Sequence, residues 1–199
     1  MLELPRNTIH QGIDYLQLRS PIFVIGAAHS GKSGLAQQLL DEDNEAIVIG
    51  TGQVTDENFS KRIQELKDQR PKLWQSHECT ENLIDSLESA AETHTQIIID
   101  SINQWIANLT LSLAEKYDIQ QLEELITHEG RQLCSAIKTY SESHRIVLVS
   151  SEVGAGISPP SALARIYRQS TSRLNCHLAE NSKTVMMISA GLPMILKGS

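Results

Sequence analysis

The sequence predicts an α/β fold in which helices cover both faces of a mostly parallel central sheet. Short apolar runs rich in Ile and Val alternate along the chain with longer segments whose apolar residues recur at helical spacing. The runs are apolar at nearly every position, which is typical of strands buried on both faces between layers of helices. The 199 residues show no internal repeat and are enough for one well-buried domain.

The predicted strands are short and bounded by glycine or polar residues. They are residues 22–25, 46–49, 96–100, 146–150 and 184–188, and MILK near the end adds a short edge strand. Residues 1–20 are expected to form a polar extension before the first core strand, and residues 21–199 the single domain.

The predicted helices fill the segments between these strands. Asp56 is an N-cap candidate, and Phe59, Ile63 and Leu66 follow it at helical spacing. Pro71 comes soon after that helix and helps to end it. The helices are residues 32–40, 56–69, 80–92, 102–113, 121–143 and 161–180, with Gly130 as a candidate break in the fifth.

Composition and charge argue against several classes of protein. The net charge of −7 and the pI of about 5.5 are unlike a nucleic-acid-binding surface, which is basic. No apolar run approaches the ~18 residues of a membrane helix, and the N-terminus has no secretory pattern, so we expect a cytoplasmic protein without a membrane span. The cysteines Cys79, Cys134 and Cys176 are far apart and include no C-x-x-C pair, which favours reduced structural thiols over a zinc site or disulfides.

The segment GAAHSGKS matches the phosphate-binding pattern G-x-x-x-x-G-K-[ST] of P-loop NTPases. It follows the first predicted strand and opens the first predicted helix, which is the context that the motif requires. Glycines let successive N–H groups turn toward phosphate oxygens, and the helix N-terminus adds the positive end of its dipole. Lys32 is expected to reach the β- and γ-phosphates of GTP or ATP, and the Ser33 hydroxyl to hold Mg²⁺. The predicted nucleotide-binding residues of this loop are Gly26, Ala27, Ala28, His29, Ser30, Gly31, Lys32 and Ser33.

A carboxylate at the end of another strand usually completes such a metal site. Asp100 closes the run QIIID and is the best candidate for this catalytic role. It also stands where a helix N-cap would be, and the two roles are compatible. The loop alone does not separate a kinase from a GTPase or an ATPase motor, and neither an N/T-K-x-D guanine motif nor a lid with clustered arginines is visible.

Later motifs narrow the choice by resemblance. They are IGTGQVTDENFSKRIQELKDQRPKLWQSHE, IIIDSINQWIANL, IVLVSSEVGAGISPP, LARIYRQSTSRLNCHLAE and VMMISAGLPMILK. With the phosphate loop, the chain resembles the adenosylcobinamide kinase / adenosylcobinamide-phosphate guanylyltransferase family from about residue 22 to 197. The resemblance implies a RecA-like fold and a homotrimer that phosphorylates the corrinoid adenosylcobinamide. It also implies a second step, transfer of GMP from GTP through a GMP–histidine intermediate.

The resemblance also assigns residues outside the phosphate loop. Those expected to bind nucleotide or its phosphates are Thr51, Gly52, Gln53, Arg62, Lys67, Arg70 and Glu78. A strand-to-helix turn explains the first three equally well, and a solvated helix face explains the basic residues. By the same match, the loop from Glu152 to Pro160 would approach the corrinoid or a neighbouring subunit.

Three positions depart from the family pattern. Glu65 stands where R-I-x-x-H-K places the guanylylated histidine, His29 where the loop usually has arginine, and Ser151 where asparagine is usual. His77 is the nearest substitute nucleophile, and a surface histidine is the plainer interpretation. We therefore expect a surviving kinase site with guanylyl transfer lost or strongly reduced. The alternative is a degenerate family member that binds nucleotide as a non-catalytic regulatory subunit.

Overall fold

The computed structural model describes residues 13–53 and 57–198, with the backbone alone at residues 57–59 and 62. Its centre is a seven-stranded sheet in the order β3-β2-β4-β5-β1-β6-β7. The strands are β1 Ile22–Gly26, β2 Ala46–Gly50, β3 Trp74–Glu78, β4 Gln96–Asp100, β5 Arg145–Ser151, β6 Thr184–Ser189 and β7 Leu192–Lys197. Every pairing is parallel except that of β6 with β7. The predicted mostly parallel α/β fold is confirmed.

Six helices connect or flank these strands in the described part of the chain. They are α1 Lys32–Gln38, α2 Glu57–Asp68, α3 Leu83–Thr93, α4 Ile102–Ala114, α5 Ile119–Tyr140 and α6 Ala162–Asn181. Within residues 13–53 and 57–198, no helix is long and apolar enough to cross a bilayer.

The alternation of side chains along each strand divides the core into two halves. In β4, Ile97 and Ile99 face α3 to α6, whereas Ile98 faces α1. The same alternation places Phe23 of β1 on the first side and Val24 on the second. Both faces of the central strands are therefore buried, as their continuous apolar runs predict.

The segment just before β1 is part of the fold. Ile13 and Tyr15 pack against the α1 side of the core, and Leu18 is buried within it. The Arg145 guanidinium binds the carbonyl oxygens of Tyr15, Leu16 and Leu18 at 2.6 to 3.2 Å. Of the predicted extension, which spans residues 1–20, the first twelve residues lie outside the described part of the chain.

Candidate active site

The phosphate loop lies between β1 and α1, at the carboxyl edge of the sheet. Gly31 has φ +102°, a left-handed conformation that favours glycine, and ends the loop where α1 begins. Gly26 lies so close to its neighbours that a Cβ atom would collide with the Ile188 carbonyl oxygen. His29 also has a positive φ of 58° and an exposed side chain. The loop conformation that the motif predicts is thus built from close backbone packing.

The side chains of this loop are arranged to meet an anion. The Lys32 ammonium is buried and donates to the Ala27 carbonyl oxygen at 2.6 Å, within the loop itself. The Ser30 hydroxyl is buried and has no hydrogen-bond partner among the described residues. A buried hydroxyl without a partner is costly unless a ligand supplies one, so the loop fits the phosphate group that its sequence predicts.

Asp100 ends β4 at the same edge, and its neighbours fix the backbone around it. The Thr51 N–H donates to the Asp100 carbonyl oxygen at 3.0 Å. The Thr51 hydroxyl donates to the Ser101 carbonyl oxygen at 2.7 Å and accepts from the Ser101 N–H at 2.9 Å. Thr51 is completely buried, and Gly52 and Gln53 follow it toward the surface. Thr51 joins the ends of β2 and β4, and its contact with nucleotide stays a prediction.

A cluster of charged side chains, made of Lys67, Arg70 and Glu78, lies on the strand β3 side of the sheet, with β2 between Glu78 and Asp100. Lys67, at the end of α2, pairs with Glu78 at the end of β3, with 2.7 Å between Nζ and Oε1. Arg70 donates from Nη1 to the Ser76 hydroxyl at 2.6 Å. Burial lowers the pKa of Arg70, and the carboxylates of Asp100 and Glu78 act in the opposite direction. The structure therefore brings these three predicted residues to the same edge as Asp100.

The donors at this edge fit Mg²⁺. A serine hydroxyl and an aspartate carboxylate are hard oxygen ligands, which Mg²⁺ prefers, with water and nucleotide phosphates completing its coordination. Ser33 is half-buried in the first turn of α1, and Asp100 is half-buried at the end of β4. No group of three or more His, Cys, Asp or Glu suited to a metal occurs in the described part of the chain.

Comparison with known proteins identifies the family. The model of "Cobinamide kinase / cobinamide phosphate guanyltransferase" matches residues 22–196. The chain belongs to this family. It is 32% identical over 181 residues to the bifunctional adenosylcobalamin biosynthesis protein CobU of Salmonella typhimurium (strain LT2), a match that covers 88% of this chain and 99% of the relative. It is 35% identical over 176 residues to the bifunctional adenosylcobalamin biosynthesis protein CobP of Pseudomonas aeruginosa, covering 88% and 96%.

Membership of the cobinamide kinase family confirms the resemblance inferred from the motifs. Glu65 lies near the end of α2 with an exposed side chain. The Gln37 amide of α1 donates to the Leu66 carbonyl oxygen at 3.4 Å, so this part of α2 lies against α1. Arg62 is on the same helix, and its side chain lies outside the described residues.

His77 does not replace the family histidine at the charged cluster. It lies on β3 between Ser76 and Glu78, and strand alternation turns it to the opposite face of the sheet from both. Its Nε2 lies 3.2 Å from the Ser86 hydroxyl of α3. The structure thus places His77 away from Lys67 and Arg70, as a surface histidine.

Two asparagines of α4 support the site, and the sequence analysis assigned neither of them a role. Asn108 donates to the carbonyl oxygens of Thr51 and Thr80 at 2.8 and 2.9 Å. Asn103 accepts from the N–H of Ser151 at 2.9 Å. Asn108 lies in the segment IIIDSINQWIANL that carries part of the family resemblance, but that resemblance did not indicate which residues Asn108 contacts. Both amides hold loops at the carboxyl edge.

Asn108→Ala should lower the free energy of unfolding by about 1 to 3 kcal/mol, because two carbonyl oxygens would lose their buried donor. Asn181→Ala is the matched control, since that exposed amide also donates to a backbone carbonyl, at 2.8 Å from His177. Urea denaturation of the two variants measures the difference. Equal losses in both would contradict the supporting role of Asn108.

Proposed function

We propose that this member of the family is a nucleotide-dependent kinase that phosphorylates adenosylcobinamide, with GTP or ATP and Mg²⁺. The observation that carries the proposal is the position of Lys32, Ser33 and Asp100 at one edge of the sheet, in a chain that belongs to the cobinamide kinase family. CobU and CobP are named as bifunctional proteins of adenosylcobalamin biosynthesis. The family description names cobinamide and so supports the substrate class, and the loop geometry supports phosphoryl transfer.

The residues of the chain would act by position and charge. The loop N–H groups and the Lys32 ammonium hold the β- and γ-phosphates, and Ser33 and Asp100 hold the metal. Mg²⁺ supplies charge neutralisation between the phosphates. The oxygen of the substrate hydroxyl would then form a bond to the γ-phosphorus as the bond from the γ-phosphorus to the β–γ bridging oxygen breaks, so that GDP or ADP leaves and the hydroxyl proton passes to solvent. Lys32 stabilises the negative charge that this step gathers on the phosphate oxygens.

The second family activity, GMP transfer to adenosylcobinamide phosphate, is proposed to be lost or strongly reduced. Imidazole can attack phosphorus and leave again, which suits covalent transfer. Glu65 offers a carboxylate instead, and its mixed anhydride with phosphate would be no equivalent of a phosphoramidate. Its negative charge would also oppose that of the phosphates.

The proposal also assigns the loop from Glu152 to Pro160 to contact with the corrinoid or with a neighbouring subunit. The loop from Glu152 to Pro160 is held by α6, where Arg168 donates to the carbonyl oxygens of Gly154 and Ile157 at 2.8 and 2.9 Å. The Ile157 side chain is 97% exposed at this loop. An ordered loop that presents an apolar side chain suits contact with a corrinoid or with a neighbouring subunit of a cytoplasmic homotrimer. The acidic net charge is unlike that of a nucleic-acid-binding protein.

A non-catalytic regulatory subunit that binds nucleotide is the second candidate function. Glu65 and His29 favour it, because each replaces a residue with which the family handles phosphate. A histidine also lacks the permanent positive charge and the planar fork of donors with which an arginine binds phosphate.

A side-by-side assay of the purified protein tests the proposal. It measures phosphorylation of adenosylcobinamide by Mg²⁺ with GTP and with ATP, and formation of the GDP-linked product from chemically prepared adenosylcobinamide phosphate. We expect the first product and at most a trace of the second. Nucleotide binding without either product would support the regulatory subunit and refute the kinase.

A further inference from the structure

We propose that Asn175 of α6 is a positioning residue for the phosphate loop, because its side-chain amide fixes the peptide group that holds the first residue of the loop. Asn175 would set the conformation of Gly26 and Ala27 and, through them, the position of Lys32. The inference rests on the proposed function in one respect, the assignment of this loop to nucleotide phosphates. The role goes beyond the residues that the motif and the family resemblance assign to the site.

A series of hydrogen bonds leads from Asn175 to the start of the phosphate loop. Its Nδ2 donates to the Ser151 carbonyl oxygen at 3.1 Å. That carbonyl belongs to the peptide group between Ser151 and Glu152, whose N–H donates to the Gly26 carbonyl oxygen at 3.1 Å. Hydrogen bonds that share a peptide group polarise one another. The Asn175 amide therefore strengthens and orients the bond that holds Gly26.

The loop passes this constraint on to Lys32. The Gly26 carbonyl is part of the peptide group that leads into Ala27, and the Ala27 carbonyl oxygen accepts from the Lys32 ammonium at 2.6 Å. The backbone is closely packed here, since a Cβ atom at Gly26 would collide with the Ile188 carbonyl oxygen. A change in the orientation of the Gly26 peptide group would therefore shift the oxygen to which Lys32 is bound.

Ser151 is held from two sides. Its N–H donates to the Oδ1 atom of Asn103 of α4 at 2.9 Å, and its carbonyl oxygen accepts from Asn175 of α6. Ser151 is the last residue of β5 and is in register with Gly26, the last residue of β1. Two side chains from different helices thus fix the strand end beside the phosphate loop. Anchoring of this kind is what keeps a binding loop in one conformation before its ligand arrives.

Asn175 occupies its position at an energetic cost. The residue is 5% exposed, and its Oδ1 is buried without a hydrogen-bond partner among the described residues. A buried oxygen without a partner is unfavourable, so stability does not explain why an amide stands here. A role for the Nδ2 donor in shaping the site does explain it, since such costs are typical of functional positions.

Binding of a ligand that contacts the loop alone tests the inference. Magnesium tripolyphosphate offers phosphate groups without a nucleoside, and magnesium GTP is the comparison. Competition with a fluorescent GTP analogue gives both dissociation constants for the full-length protein. Asn175→Ala should weaken both ligands by the same factor of about three to ten, which is the size of one hydrogen bond in an equilibrium constant. Asn175→Leu, which keeps the branched shape but cannot donate, should show the same loss.

Asn181→Ala is the matched control. It removes an exposed amide of the same helix that donates to the His177 carbonyl oxygen, and it should change neither dissociation constant. An Asn175 with a merely structural role would affect the free energy of unfolding and leave both affinities of the folded protein unchanged, which would overturn the inference. An equal loss in Asn181→Ala would also overturn it.

The comparison of the two ligands separates the inference from the proposed kinase activity. Loss of GTP affinity alone overturns the role of Asn175, because the effect would then lie at the nucleoside. If the natural protein binds no tripolyphosphate, the assignment of the phosphate loop fails and the inference fails with it. A protein that is inactive as a kinase but shows the expected losses would refute the kinase and confirm that Asn175 positions the loop.

Discussion

Lys32→Ala should reduce kcat/KM for phosphorylation of adenosylcobinamide by about 10²- to 10³-fold, the usual cost of removing one donor from developing charge in a transition state. The Lys32 ammonium is buried in the phosphate loop beside the Ala27 carbonyl oxygen. Lys32 is the one lysine of the segment GAAHSGKS. Most of the loss should appear in kcat, because the charge that Lys32 stabilises grows as the γ-phosphate is transferred. Steady-state kinetics with saturating Mg²⁺ and nucleotide measure it.

Lys183→Ala is the matched control for Lys32→Ala. Lys183 is an exposed lysine just before β6, at the amino edge of the sheet and so opposite the phosphate loop. Its removal changes the net charge equally and should leave kcat/KM unchanged. Retention of more than a tenth of the activity in Lys32→Ala, with the control unaffected, would show that phosphoryl transfer occurs elsewhere.

The phosphate loop could be predicted because its geometry is local. Gly31 adopts a left-handed conformation and Gly26 packs against a neighbouring strand, and the motif specifies glycine at both positions. The buried strands could be predicted for a similar reason, since burial on both faces demands continuous apolar runs. β4 has the predicted bounds, and β1, β2, β5 and β6 extend by a residue or two beyond theirs.

The strand Trp74–Glu78 was missed, and its composition explains why. Only Trp74 is buried, and the four residues after it are exposed at the edge of the sheet. The segment therefore shows neither an apolar run nor an alternation. Its position depends on pairing with β2 and on the Trp74 indole, which donates to the Asn44 carbonyl oxygen at 3.1 Å. Tertiary contacts of this kind leave no periodic signal.

The expected break at Gly130 was wrong for a related reason. The helix runs without interruption from Ile119 to Tyr140 and begins with a capping box between Asp118 and Gln121. Gly130 is buried, and a Cβ there would lie 3.4 Å from Leu174 of α6. Packing between α5 and α6 outweighs the unfavourable helix propensity of one glycine, which is about 1 kcal/mol.

The charged cluster on the β3 side of the sheet could be predicted only in part. Family resemblance named Lys67, Arg70 and Glu78, but strand order decides that Gly50 separates Glu78 from Asp100. The order of strands in a sheet depends on how the crossovers pack, and the sequence of any one strand does not encode it. The family resemblance could therefore name these residues without revealing that a strand separates Glu78 from Asp100.

Glu65→His should create a covalent GMP adduct that, on the proposed loss of guanylyl transfer, the natural sequence does not form. The substitution places an imidazole where the family resemblance assigns the guanylylated histidine, and imidazole can attack the α-phosphorus of GTP and release pyrophosphate. Glu65 is exposed on α2, so the new side chain displaces no packed neighbour. We expect acid-labile label from α-labelled GTP to rise from background toward one per chain, measured after rapid quenching.

Gln64→His is the control that tests whether labelling depends on the position of the added histidine or only on its presence. Gln64 is the exposed residue beside Glu65 and lies about 100° away around the helix, so an imidazole there should stay unlabelled. Stoichiometric label on the natural protein would show that another residue carries the GMP and that guanylyl transfer has survived. Background label in both variants would mean that α2 does not present position 65 to the nucleotide, and the loss of the second activity would then need a cause other than Glu65.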